Sequence, residues 1–170
     1  MYGTYEKHVI DGLAANNYGG ANLITANAAA ANIFETRAFV EPITVQRFGF
    51  RVTTAFVHNV DDGQNLKIKL YRCPTANNAN AVEIDELEVP LGNIAVGSVV
   101  YADVDNAYVA ANATVPAHNA ADLNAGDSVQ MRVSANMTGT NKTGIFDPFI
   151  VYNFRPEADG NQALVVDLTD

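Results

Sequence analysis

The chain has 170 residues, with ten Lys and Arg against nineteen Asp and Glu and a formal charge of −9 at pH 7. That length fits one domain, and an acidic balance with no basic cluster argues against a nucleic-acid partner. No apolar run approaches the roughly 18 residues of a membrane-spanning helix, and a lone cysteine, Cys73, precludes an intramolecular disulfide.

The apolar fraction is 48%, but 26 residues are alanine and 19 are asparagine. Many of these crowd the first segment, in Asp11-Gly-Leu-Ala-Ala-Asn-Asn-Tyr-Gly-Gly20 and Ala26-Asn-Ala-Ala-Ala-Ala-Asn32. Alanine favours a helix there while glycine and asparagine oppose it. Residues 1–34 are therefore expected to form an extended or partly helical arm that orders on contact. Its large apolar residues, Tyr5, Val9, Ile10, Leu13, Tyr18, Leu23, Ile24, Ile33 and Phe34, follow no period and are the expected interface residues. Disordered tails seldom carry such residues. The start, Met1 to His8, lacks the basic and apolar regions of a signal peptide, so manufacture in the cytoplasm is expected.

Residues 35–170 read as one β-sandwich domain. Ile43 and Val45 are odd-numbered whereas Phe48, Phe50, Val52 and Phe56 are even, so a bulge near Gln46–Arg47 would restore one inward face. Gly49 would ease the bend. Leu66, Ile68 and Leu70 alternate with Lys67, Lys69 and Tyr71, the mark of a half-buried antiparallel strand. Residues 82–89 shift phase between Ile84 and Leu87, Pro90 ends the strand, and Leu91-Gly-Asn93 makes a turn. Strands are expected at 94–104, with a small turn or bend at Gly97-Ser98, and at 107–115. Val129, Met131 and Val133 alternate with Gln130 and Arg132, and further strands are expected at 145–155 and 162–168. Asn124-Ala-Gly-Asp127 carries turn chemistry. Short strands at this spacing, with no long amphipathic helix, predict an all-β antiparallel sandwich or jelly roll.

Catalytic groups are sparse. His8, His58 and His118 are scattered, no serine lies in a G-x-S-x-G elbow, and Cys73 reads as a partly buried thiol rather than a nucleophile. Asp103 and Asp105 are the calcium candidates, because alternating carboxylates offer a hard cation several oxygens. A solvated acidic loop is the simpler reading of them. The chain has no tryptophan, which weakens glycosidase and carbohydrate-binding readings. No cofactor is expected, and the chain is not expected to be an enzyme.

Four segments carry a resemblance: Pro42-Ile-Thr-Val-Gln-Arg-Phe-Gly-Phe50, Leu66-Lys-Ile-Lys-Leu-Tyr-Arg72, Gly126-Asp-Ser-Val-Gln-Met-Arg-Val133 and Phe146-Asp-Pro-Phe-Ile-Val-Tyr152. Together they resemble strands of β-sandwich virion proteins of tailed bacteriophages, most closely the capsid decoration, or cement, proteins. The resemblance implies a non-enzymatic structural protein on the capsid exterior, bound to the major capsid protein and fastening capsomers as a homo-oligomer, a trimer in many such proteins. It leaves open a head fibre or tail-associated protein, and a loop-based glycan-binding or adhesin module is the alternative reading. No active-site residue is carried over.

Overall fold

Strict alternation produces strands wherever the sequence shows it. A computed structural model describes residues 6–9, 22–25, 32–58, 66–90, 92–105, 107–109, 118–135 and 143–155, and holds no α-helix among them. The strands are β1 (Glu6–Val9), β2 (Asn22–Thr25), β3 (Asn32–Glu35), β4 (Ile43–Thr54), β5 (Phe56–His58), β6 (Lys67–Cys73) and β7 (Val82–Glu88). They continue with β8 (Gly92–Ile94), β9 (Val99–Asp103), β10 (Tyr108–Val109), β11 (His118–Asn119), β12 (Asp122–Leu123), β13 (Ser128–Ala135) and β14 (Thr143–Phe154).

The phase change in β4 is a bulge. Its ladder to β14 steps from Arg47↔Val151 to Val45↔Tyr152, leaving exposed Gln46 unopposed. Ile43, Val45, Phe48, Phe50 and Val52 consequently all face the core, each at most 1% exposed. A second bulge at Ile84 in β7, between the pairs Leu70↔Asp85 and Tyr71↔Glu83, returns Leu87 and Val89 to the interior.

The pairing is antiparallel throughout and forms two principal sheets. In the first, β14 is flanked by β4 on one side and by β1 and β2, end to end, on the other; β9 and β12 line the far side of β4. The second sheet runs β3-β13-β6-β7. With β1 and β2 as one position, and the short strands β5, β8, β10, β11 and β12 set aside, the principal strands number eight in chain order. The first sheet then reads first, eighth, third, sixth, and the second reads second, seventh, fourth, fifth. That is the jelly-roll order, two sheets wound from nested antiparallel pairs. One cluster joins them: Phe48, Phe50 and Ile150 from the first sheet pack with Leu66, Ile68, Leu70, Val129 and Met131 from the second.

Several expectations need correction. Ile33 and Phe34, expected as contact residues of the arm, are core residues at 5% and 1% exposure. Their strand, β3, pairs with β13, and a bulge at Ile33, between Met131↔Phe34 and Arg132↔Asn32, lets two consecutive side chains turn inward. β3 thus belongs to the second sheet and spans residue 34, while β1 and β2 pair with β14 of the first sheet. The expected strand at 94–104 is two strands separated by the turn Ala95–Ser98, closed by Ser98 N–H to Ala95 C=O and requiring Gly97 at φ 87°. Gly92 and Asn93 belong to β8 rather than to a turn. Of the expected strand at 107–115 only residues 107–109 are described, with Tyr108–Val109 forming β10, and 162–168 lies outside the described residues.

Candidate functional site

The two sandwich faces differ in chemistry because different side chains alternate outward. On the second sheet, β6 and β7 face each other with opposite charges. Lys67 meets Glu86 at 2.8 Å and Glu88 at 3.6 Å, and Lys69 meets Glu83 at 2.7 Å and Glu86 at 3.7 Å. The hydrogen bond from Lys67 to Glu86 and that from Lys69 to Glu83 raise both ammonium pKa values above their ordinary 10.5. Arg132 lies 4.5 Å over the Tyr71 ring and bonds Gln130, which is 1% exposed although it alternates outward. This face is charge-matched and closed by its own partners.

A second polar group holds one end of the sandwich. The turn Asn124–Asp127 uses Gly126 at φ 90° and closes through Asp127 N–H to Asn124 C=O. It delivers the Asp127 carboxylate, almost fully buried, to Arg72 at 2.7 and 2.8 Å. The same carboxylate accepts the backbone N–H groups of Thr75 at 3.0 Å and Asn124 at 2.9 Å. Beside it, Asp122 accepts from Thr44 Oγ1 and Arg155 Nη1, while Arg155 Nη2 donates to the Leu123 carbonyl and to Asn124 Oδ1. Each charge is met by an opposite charge or by N–H donors, the condition under which buried ions are tolerated. The group ties β4, β6, β12 and the end of β14 together.

The first sheet exposes a different surface along β9. Val96 at the tip of the preceding turn is 64% exposed, Val99 is 52% and Tyr101 is 47%. Arg47 on β4 sits 4.1 Å over the Tyr101 ring and bonds Asp103 through Nε at 2.7 Å. The Val100–Tyr101 backbone passes close against Gly49, the register partner of Tyr101. A Cβ at Gly49 would collide with the Val100 carbonyl oxygen and lie 2.7 Å from Tyr101 Cα. Glycine is thus required by close backbone approach, which replaces the expected role of easing a bend. Arginine and tyrosine are enriched at protein–protein contacts.

Of the expected interface residues, Ile33 and Phe34 are in the core. Val9 stands in register with Ile150, Leu23 with Ile145 and Ile24 with Gly144, so these stretches of the arm pair with β14 of the same chain. Tyr5, Ile10, Leu13 and Tyr18 lie outside the described residues. The calcium candidates separate: the Asp103 carboxylate is held by Arg47, whereas Asp105 uses its backbone N–H to bond Asp85. No group of three or more His, Cys, Asp or Glu converges among the described residues. Cys73 is buried, and burial pushes its thiol pKa above the ordinary 9.0. The Arg47–Tyr101–Asp103 group went unnoticed in the sequence because its members are joined only by the β4–β9 ladder. The one local signal is that Val99, Tyr101 and Asp103 alternate with the less exposed Val100 and Ala102. No family model, no curated protein and no solved structure matches this chain.

Proposed function

We propose that this protein is a non-enzymatic structural component of a virion, binding the outer surface of an assembled capsid and stabilising contacts between capsomers. The observation that carries the reading is the asymmetry of the sandwich. One face is sealed by its own Lys–Glu ladder, while the other presents Val96, Val99, Tyr101 and Arg47 in the composition of a protein-binding patch. The strand order supports it at the level of class, since jelly rolls recur in viral capsid and lectin domains, although fold alone does not assign function. The four phage-like segments coincide with β4, β6, β13 and β14, the two central strands of each sheet. The major capsid protein is the proposed partner, with the chain acting as a homo-oligomer.

Immunogold labelling of intact particles from the same source tests the reading, with label expected over the head surface. Label confined to tails or fibres, or particles that bind no antibody while free protein does, would refute it. A glycan array run with and without chelator separates the adhesin alternative, for which reproducible binding to a defined glycan is the signature.

A further inference from the structure

The edges of a β-sandwich are ordinarily defended against other strands by charge, bulges or proline. The β7 edge is defended in this way: it carries Glu83, Asp85, Glu86 and Glu88, bulges at Ile84 and is followed by Pro90. The β9 edge lacks every one of these devices but a single charge, Asp103, which Arg47 already neutralises.

Its outward hydrogen-bonding groups have no partner among the described residues. Val52 N–H donates to Ser98 C=O and Val104 N–H to Gln46 C=O, both at 2.8 Å. These bonds fix the ladder so that even-numbered residues of β9 bond β4. The N–H and C=O groups of Val99, Tyr101 and Asp103 therefore point away from β4, and β4 is the one strand paired with β9 among the described residues.

We propose that the β9 edge pairs antiparallel with the β9 edge of a second copy of this chain, joining two first sheets into one continuous sheet. A two-fold axis at Tyr101 places Val99 opposite Asp103 of the second copy and the two tyrosines opposite each other. Every outward N–H and C=O at the three odd positions then finds a partner. The rows across the junction read Arg51, Val99, Asp103 of the second copy, Arg47 of the second copy. Arg51 is exposed and has no ion pair among the described residues. From β4 it is two strand spacings, about 10 Å, from the neighbouring β9, a span that an extended arginine and an aspartate cover together. The edge is self-complementary in hydrogen bonds and in charge, as a two-fold contact demands. This deepens the homo-oligomer part of the proposed function. It is tested on the isolated protein, so its failure would leave the capsid reading standing.

Light scattering over a concentration series should show the mass climbing from that of the monomer towards twice that value. Hydrogen exchange at the amides of Val99, Tyr101 and Asp103 should slow with concentration, while Val100 and Ala102, bonded to β4, stay unchanged. Val99→Asp sets a carboxylate against Asp103 of the second copy, and Arg51→Glu reverses the cross-junction charge. Each should raise the dissociation constant tenfold or more with the circular dichroism spectrum retained. Val99→Lys, facing the same carboxylate, should keep the pairing. A mass that never exceeds the monomer's, or an oligomer indifferent to both Val99→Asp and Arg51→Glu, overturns the proposal.

Discussion

Replacing Asp127 by alanine should be among the most damaging single changes in this protein. The substitution removes the partner that meets Arg72 at 2.7 and 2.8 Å, and it strips the acceptor from the N–H groups of Thr75 and Asn124. Arg72 is itself largely buried, with a side chain 13% exposed, so its charge would be left with little water to solvate it. Breaking one half of such a pair costs about 3–5 kcal/mol. In a domain of this size each kcal/mol lowers the melting temperature by about 2–4 °C, so a fall of about 6–20 °C is expected. The loop after β6 should loosen as well, because Thr75 and Ala76 hold positive φ values of 51° and 53° that the Asp127 contact helps to sustain. Thermal and urea unfolding of Asp127→Ala, Arg72→Met and the double variant provide the assay. The double variant should lose about 1–3 kcal/mol less than the sum of the singles, since it leaves no orphaned charge. A loss under about 1 kcal/mol in Asp127→Ala, or strict additivity, would refute the reasoning.

Phe34→Ala should cost about 3–5 kcal/mol in urea unfolding, as expected of a fully buried aromatic residue, whereas a residue of an independent arm would cost almost nothing. By the same logic, deleting residues 1–33 should destabilise the sandwich itself, because β1, β2, Ile33 and half of β3 go with the arm. Gly49→Ala should lose about 1–3 kcal/mol through overpacking. Tyr101→Ala should not rescue it, since the Val100 carbonyl that blocks the new methyl group is backbone. Stability should hold up to about pH 9 and then decline, because the Cys73, Tyr152, Lys67 and Lys69 pKa values all lie above their ordinary 9.0, 10.0 and 10.5. A raised pKa contributes stability below the unfolded value and loses it as pH climbs through the folded one. Melting temperatures across pH 8 to 11 check this, and a curve that rises above pH 9 would contradict it.

Much of the first-order pattern could be read without coordinates. The alternation in Leu66–Leu70 and Val129–Val133, the extra residue at Gln46 and the turn at Asn124–Asp127 are local properties, visible in a window of a few residues. The candidate site was largely hidden for the opposite reason. Arg47 and Asp103 lie 56 residues apart, and Arg72 and Asp127 lie 55 apart. Nothing in either short segment announces the other. Ile33 and Phe34 misled because two adjacent apolar residues fit no simple strand period; only the bulge against β13 turns both inward.

The sequence by itself determined that this is an acidic, nearly all-β chain with one alternating apolar set. It also set where that alternation slips, because side-chain period is a property of the backbone over a few residues. The tertiary structure decided which strands pair, that β3 belongs to the core, that Gly49 lies under β9, and that β7 is a guarded edge while β9 pairs on one side alone among the described residues. Those outcomes depend on contacts between distant segments. The sandwich forms by matching whole faces across two sheets, and that matching has no signature within any single strand.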